Sequence, residues 1–225
     1  MGRQDNLLGA IYGRVRSVVA RRREPASRTY RFMSRLIEQE LRAGEVGVCL
    51  SFFSADGDSA TTDVLLMLAN SLQGELGGSV LMVDARFRDP GAGLTGRLGM
   101  LSAPGFAEIM RGGMDGWFDL IRKTALDRVD ILPAGLLGPA DTLSLDRERW
   151  TGLLASAAGR YRHVLIQTSS VLADTRSLLA VAHTDAVFLI VQENLTLMNT
   201  VADIRNLLLS NGVEDLRVVL STPEQ

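Results

Sequence analysis

Short, nearly unbroken apolar runs alternate along the chain with longer segments in which apolar residues recur at helical spacing. The run Val46-Gly47-Val48-Cys49-Leu50-Ser51-Phe52-Phe53 reads as a strand buried on both faces. Residues 80–83, 129–132, 164–166, 186–191 and 216–220 read the same way. Between these runs the spacing predicts helices at 60–73, 105–111, 145–159, 175–182 and 196–210. A further helix is expected at 27–41, with Ser27 as its N-cap and Gly44 as its stop. Ahead of it, Leu7, Leu8, Ile11, Val15, Val18 and Val19 fall at helical spacing with arginines between them, so an amphipathic helix is expected over 6–20. Strands separated by helices of this length form βαβ units. The expected fold is therefore α/β, three-layered, with a mostly parallel twisted sheet of about 6–8 strands and helices on both faces. The expected organisation is a basic amphipathic arm over 1–26 and one domain over 27–225, with no internal repeat.

Composition narrows the function classes. At 225 residues, 46% hydrophobic and 22% charged, the chain is long and apolar enough to bury a core without covalent staples. Cys49 is the single cysteine, so no intrachain disulfide forms, and with only His163 and His183 beside it no zinc cluster is available. No apolar run approaches the roughly 20 residues of a membrane span, and no apolar signal core opens the chain. The expected location is cytoplasmic. Cys49, Met67 and both histidines read as core or surface groups rather than ligands.

The net charge of −2 conceals a division. Residues 1–35 hold nine arginines against Asp5 and Glu24, whereas residues 36–225 carry a net −9. An acidic body argues against nucleic-acid binding. Arg21, Arg22, Arg23, Arg28, Arg31 and Arg35 are candidate interface residues. They could form a solvated face, dock on an acidic partner, or lie against anionic lipid, where each arginine contributes about 1 kcal/mol. Lys123 is the single lysine, so any chemistry needing a lysine in a particular loop can be checked by inspection.

The segment after the first predicted strand carries candidate chemistry. A buried strand, a loop of small residues and a helix make a phosphate cradle from backbone N–H groups and the helix N-terminus. The usual string is G-x-x-x-x-G-K-[ST]. Here it reads Ser54-Ala55-Asp56-Gly57-Asp58-Ser59-Ala60-Thr61-Thr62. Gly57 and Ser59 fall where a glycine and a metal-binding hydroxyl belong, and Asp58 stands at the lysine position. The alternative is an ordinary strand-to-helix turn.

Four further stretches, read in order, carry a family likeness. They are Val80-Leu81-Met82-Val83-Asp84-Ala85-Arg86-Phe87-Arg88-Asp89-Pro90, Pro104-Gly105-Phe106-Ala107-Glu108-Ile109-Met110-Arg111-Gly112, Val129-Asp130-Ile131-Leu132-Pro133-Ala134-Gly135, and Tyr161-Arg162-His163-Val164-Leu165-Ile166-Gln167-Thr168-Ser169-Ser170-Val171-Leu172. With Leu98-Gly99, residues 27–221 resemble the cytoplasmic kinase domain of bacterial tyrosine autokinases, the BY-kinases of the MinD/ParA group of P-loop ATPases. The resemblance implies a P-loop NTPase-like fold. It also implies pairing with a membrane chain-length regulator, a polysaccharide co-polymerase, in capsule or exopolysaccharide synthesis and export.

The departures from that pattern bear directly on chemistry. Asp58 replaces the phosphate-contacting lysine, Arg86 the second aspartate of D-x-D, and Gln167 the Walker B aspartate. Ser169 and Ser170 replace two prolines, Ser221 replaces an asparagine, and no C-terminal tyrosine cluster accompanies Tyr12, Tyr30 and Tyr161. Two unit charges 4 Å apart interact by about 4 kcal/mol at an effective dielectric near 20, so a cation-to-anion exchange turns attraction for phosphate into repulsion of that order. Losing the Walker B carboxylate removes a metal anchor. The expectation is a catalytically inactive BY-kinase-like protein that binds no cofactor, with Gly57, Asp58, Ser59, Ala60, Asp84, Arg86 and Gln167 marking a degenerate nucleotide pocket. In that pocket Asp58 and Arg86 are expected to pair. The alternative is a divergent ATPase or kinase holding ATP and magnesium. The expected partner is a co-polymerase or another export component at the inner face of the membrane, with a homo-oligomer as a further candidate. The family's E-x-x-R-x-x-R assembly helix corresponds to residues 28–35, where the glutamate is missing.

Overall fold

The structure, a computed structural model, describes residues 16–20, 26–40, 46–87, 89–137 and 143–221. Its strands are β1 (Arg16–Ala20), β2 (Val48–Ser54), β3 (Val80–Asp84), β4 (Arg122–Lys123), β5 (Val129–Leu132), β6 (His163–Gln167), β7 (Ala186–Gln192) and β8 (Leu216–Ser221). The helices are α1 (Ala26–Glu40), α2 (Asp58–Leu76), the single turn α3 (Leu94–Arg97), α4 (Phe106–Gly112), α5 (Arg147–Ala158), α6 (Thr175–Val181) and α7 (Met198–Ser210). The strands form one sheet in the order β1-β8-β7-β2-β6-β3-β5-β4, parallel except where β4 runs antiparallel to β5.

The sheet is covered on both faces, which is why its central strands are continuous apolar runs: every residue of β2, β3 and β6 is buried. Alternate side chains take opposite faces. Leu50 and Phe52 of β2 join Met33 and Ile37 of α1 and Leu65 and Leu68 of α2. Leu81 and Val83 of β3 and Ile166 of β6 pack with Phe106 of α4 and Trp150 of α5. Phe53 packs with Val187 and Leu189 of β7 and Val201 and Ile204 of α7. The three-layer expectation is met, and all six predicted strands are present within a residue or two. Helix ends follow local chemistry. The Asp146 carboxylate accepts the Arg149 N–H at 3.0 Å to open α5, and the N–H of left-handed Gly77 closes α2 onto the Gln73 carbonyl.

Two sequence expectations are corrected. The amphipathic helix expected over 6–20 gives way to a strand at Arg16–Ala20, in parallel register with β8 from Arg16↔Arg217 to Ala20↔Ser221. The β8 edge offers five residues of unpaired backbone, and the β-branched pair Val18-Val19 suits it, so tertiary pairing overrides the helical spacing. Residues 6–15 of that expected helix, and Gly44, lie outside the described residues. Ser27 is not the cap of α1, which already begins at Ala26.

Candidate functional site

The carboxyl ends of β2, β6 and β3 are adjacent and level: Phe52 is in register with Gln167, and Gln167 with Asp84. Every position singled out in the sequence for a nucleotide pocket is on or next to these three ends.

After β2 the chain turns through Ser54–Gly57 into α2. The Asp56 N–H donates to Ser54 Oγ at 3.2 Å. The Thr196 hydroxyl donates to Asp56 Oδ2, and Thr196 Oγ1 accepts the Gln192 N–H at 2.9 Å. The loop after β2 is thus tied to the loop after β7, its neighbour in the sheet. Gly57 stands at the helix entry with φ 135° and ψ 159°, a conformation that disfavours any side chain. Ala60 is half-buried against the α1–α2 core. The side chains of Asp58 and Ser59, and with them the expected Asp58–Arg86 pair, lie outside the described residues.

Asp84 ends β3 and is fully buried, as is Arg86 two residues later. Arg86 Nε donates to Asp84 Oδ1 at 3.1 Å. The other carboxylate oxygen accepts both the backbone N–H of Thr95 at 2.9 Å and its hydroxyl at 2.7 Å. Thr95 Oγ1 in turn accepts the Ala134 N–H at 2.8 Å. One carboxylate therefore joins β3, α3 and the segment after β5. A Cβ on Gly93 would lie 2.3 Å from Arg86 Cζ, so the guanidinium lies directly against that glycine.

Gln167 ends β6 and is also fully buried. Its Nε2 donates to Thr62 Oγ1 at 2.9 Å, and its Oε1 accepts the Leu94 N–H at 2.9 Å. A neutral amide, donor at one end and acceptor at the other, bridges α2 to α3. The hydroxyl that meets Gln167 is Thr62, one helical turn beyond Ser59. The sequence reading passed over both Thr62 and Thr95. Only the i, i+3 spacing from Ser59 to Thr62 hinted at the first, and Thr95 becomes relevant through a long-range contact. Segments 104–112 and 129–135 also meet, since the Phe106 and Ala107 N–H groups donate to the carbonyls of Pro133 and Ala134 at 2.8 and 2.9 Å.

Lys123 stands elsewhere. It pairs in register with Asp130, and Asp130 with Leu81, three residues before Asp84. It is therefore roughly 10 Å down the strands and four strands, roughly 19 Å, across from β2. Lys123 Nζ lies 2.9 Å from Asp130 Oδ2, which also accepts the Tyr161 hydroxyl at 2.8 Å. Burial, and then Asp130, push the Tyr161 hydroxyl well above its ordinary range.

The remaining candidates are placed as follows. His163 is buried at the start of β6, with Nε2 3.0 Å from Glu38 of α1, and Arg162 makes a bidentate contact to the same carboxylate at 2.7 Å. These residues hold α1 to the sheet. Cys49 is buried, its thiol pushed up to about 12 by desolvation and then by Asp185. Desolvation and then Arg147 lower His183. Arg28, Arg31 and Arg35 share the exposed face of α1 with Phe32, while Arg21, Arg22 and Arg23 lie outside the described residues. Among the described residues no helix is long and apolar enough to cross a membrane.

This architecture is that of a P-loop α/β domain, and solved structures share it. The chimerical protein CapA2B2 superimposes with a TM-score of 0.79 at 18% identity, over 97% of this chain and 99% of that one. The kinase domain of the Escherichia coli tyrosine kinase ETK gives 0.77 at 21% identity, over 88% of this chain and 75% of the other. The MinC:MinD cell division protein complex of Aquifex aeolicus gives 0.61 at 18% identity, over 77% and 68%. No family model matches the sequence, and no curated protein matches it. The fold is BY-kinase-like, within the wider MinD/ParA architecture.

Proposed function

We propose that this chain is a BY-kinase-like protein that acts by binding rather than by phosphoryl transfer, as a regulatory or scaffolding partner in exopolysaccharide synthesis and export. The observation that carries this reading is the saturation of the strand ends by the chain's own groups. Both Asp84 oxygens are engaged by Arg86 and Thr95, and both ends of the Gln167 amide are engaged by Leu94 and Thr62. Phosphoryl transfer in this architecture needs carboxylates open to a divalent cation and a cation aimed at phosphate. Asp84 is committed to a guanidinium, Gln167 carries no charge, and Lys123 is strands away, so these residues do not fit a magnesium triphosphate. The likeness to kinase-domain structures and the sequence resemblance support a place beside a membrane co-polymerase, in the cytoplasm at the inner membrane face. The exposed arginines of α1 supply a charged surface for an acidic partner.

Titration calorimetry with Mg-ATP tests the reading. No heat of binding is expected at micromolar nucleotide, and micromolar affinity or any turnover would establish a divergent ATPase or kinase instead. Pull-down with the cytoplasmic segments of a co-polymerase, comparing the native chain with an Arg21→Glu/Arg22→Glu/Arg23→Glu variant that leaves β1 in place, tests the partner. Binding weakened by the charge reversal is expected, and unchanged binding would remove these arginines from the interface.

A further inference from the structure

A cavity of about 480 Å³ opens beside the sheet edge, apart from the saturated strand ends. Met100, Ser102, Ala103 and Pro104, in the segment after α3, line one part of it, and Arg122 and Lys123 of β4 line another. It is shallow and open to solvent, and its walls combine apolar atoms with a few polar groups.

Arg122 is held in place with its charge uncancelled, whereas Lys123 is ion-paired. Arg122 Nη1 donates to the carbonyls of Asp119 and Ile121 at 2.7 and 3.1 Å, and among the described residues no carboxylate pairs with this guanidinium. Neutral acceptors fix its orientation and leave its charge. Lys123 is 85% exposed, yet Asp130, buried and also bound to the Tyr161 hydroxyl, anchors its ammonium. One of three ammonium donors is thereby used. With Lys123 offset by Asp130, the Arg122 guanidinium leaves one uncompensated positive charge here, on a body that is net −9. Cations ordered before a ligand arrives lose little freedom on binding it. A guanidinium fork, the remaining ammonium donors and the Ser102 hydroxyl together offer hydrogen bonds to the three oxygens of a phosphate monoester. Met100, Ala103 and Pro104 suit an apolar body attached to that group. We propose that this cavity binds a small organic phosphate.

The test titrates the full chain with phenyl phosphate, benzoate and inorganic phosphate, following backbone amide shifts by NMR. Saturable shifts confined to residues 99–104 and 122–123 are expected with phenyl phosphate, at a dissociation constant of order 1 mM or tighter. Arg122→Gln should weaken this at least about tenfold, and Lys123→Gln by about threefold or more. Arg122 also ties the turn before β4, so Arg122→Lys separates lost folding from lost binding: it keeps the charge and loses the fork, and should bind more weakly than the native chain but more tightly than Arg122→Gln. Shifts that do not saturate, or that survive in the Arg122→Gln/Lys123→Gln double variant, would overturn the proposal. So would benzoate or inorganic phosphate binding as tightly as phenyl phosphate.

Discussion

The Asp84–Arg86 and Asp130–Lys123 pairs are both aspartate–cation contacts near 3 Å, and both lie on or beside β3 and its neighbour β5. Their surroundings differ completely. Arg86 is sealed from solvent, while Lys123 is 85% exposed. Asp84 spends its remaining oxygen on Thr95, so the pair closes a network that joins three chain segments. Among the described residues Asp130 joins only β4 and Tyr161, and Lys123 keeps donors for solvent or a ligand. The same ion pair is thus an internal tie at a saturated, buried place and a positioning device at an open one. Pair geometry alone does not separate the two, and the number of unused donors does.

The largest test of this contrast is Arg86→Ala. It strands a buried carboxylate and should cost about 3–5 kcal/mol in urea unfolding. The Asp84→Asn/Arg86→Gln double variant should lose less than Arg86→Ala alone, because no lone charge remains inside. A near-neutral Arg86→Ala would show that the pair does not tie the strand ends together. Next in size, Gln167→Ala leaves the Thr62 hydroxyl and Leu94 N–H without this partner and should cost about 1–3 kcal/mol. Combined with Thr62→Val the losses should fall short of additive, which a double-mutant cycle measures.

At the open pair the effects are smaller and depend on pH. Tyr161 is raised above its unfolded value near 10, so its stabilising contribution is complete below that pH and is lost as pH rises above it. Urea midpoints between about pH 9 and 11 should fall more steeply for the native sequence than for Tyr161→Phe. An identical slope would detach the hydroxyl from Asp130. Lys123→Gln should change stability by less than about 1 kcal/mol at neutral pH. A larger loss would make Lys123 an internal tie after all and erase the distinction.

What could be read in the sequence follows the same division between local and long-range causes. The strands of the parallel sheet announce themselves because burial on both faces demands continuous apolar runs, as in residues 186–191. The helix starts at Asp146 and Asp174 are local too, each carboxylate meeting an N–H within three residues. β1 was hidden because Val15, Val18 and Val19 satisfy helical spacing while the deciding partner, β8, is about two hundred residues away. β4, two residues long, is too short for any period to show. At the site, the residue types at 86 and 167 were legible as departures from a pattern that Asp84 still follows. That Arg86 meets Asp84 and that Gln167 bridges Thr62 and Leu94 depends on loop paths no local rule specifies.

The closeness of Arg86 to Gly93 has a consequence for descent. With a β-carbon at position 93 placed 2.3 Å from a guanidinium that has no solvent to retreat into, either position constrains the other. Among homologues, those with arginine at 86 should have glycine at 93. Where a smaller residue stands at 86, position 93 becomes free to drift, so the two positions should vary together.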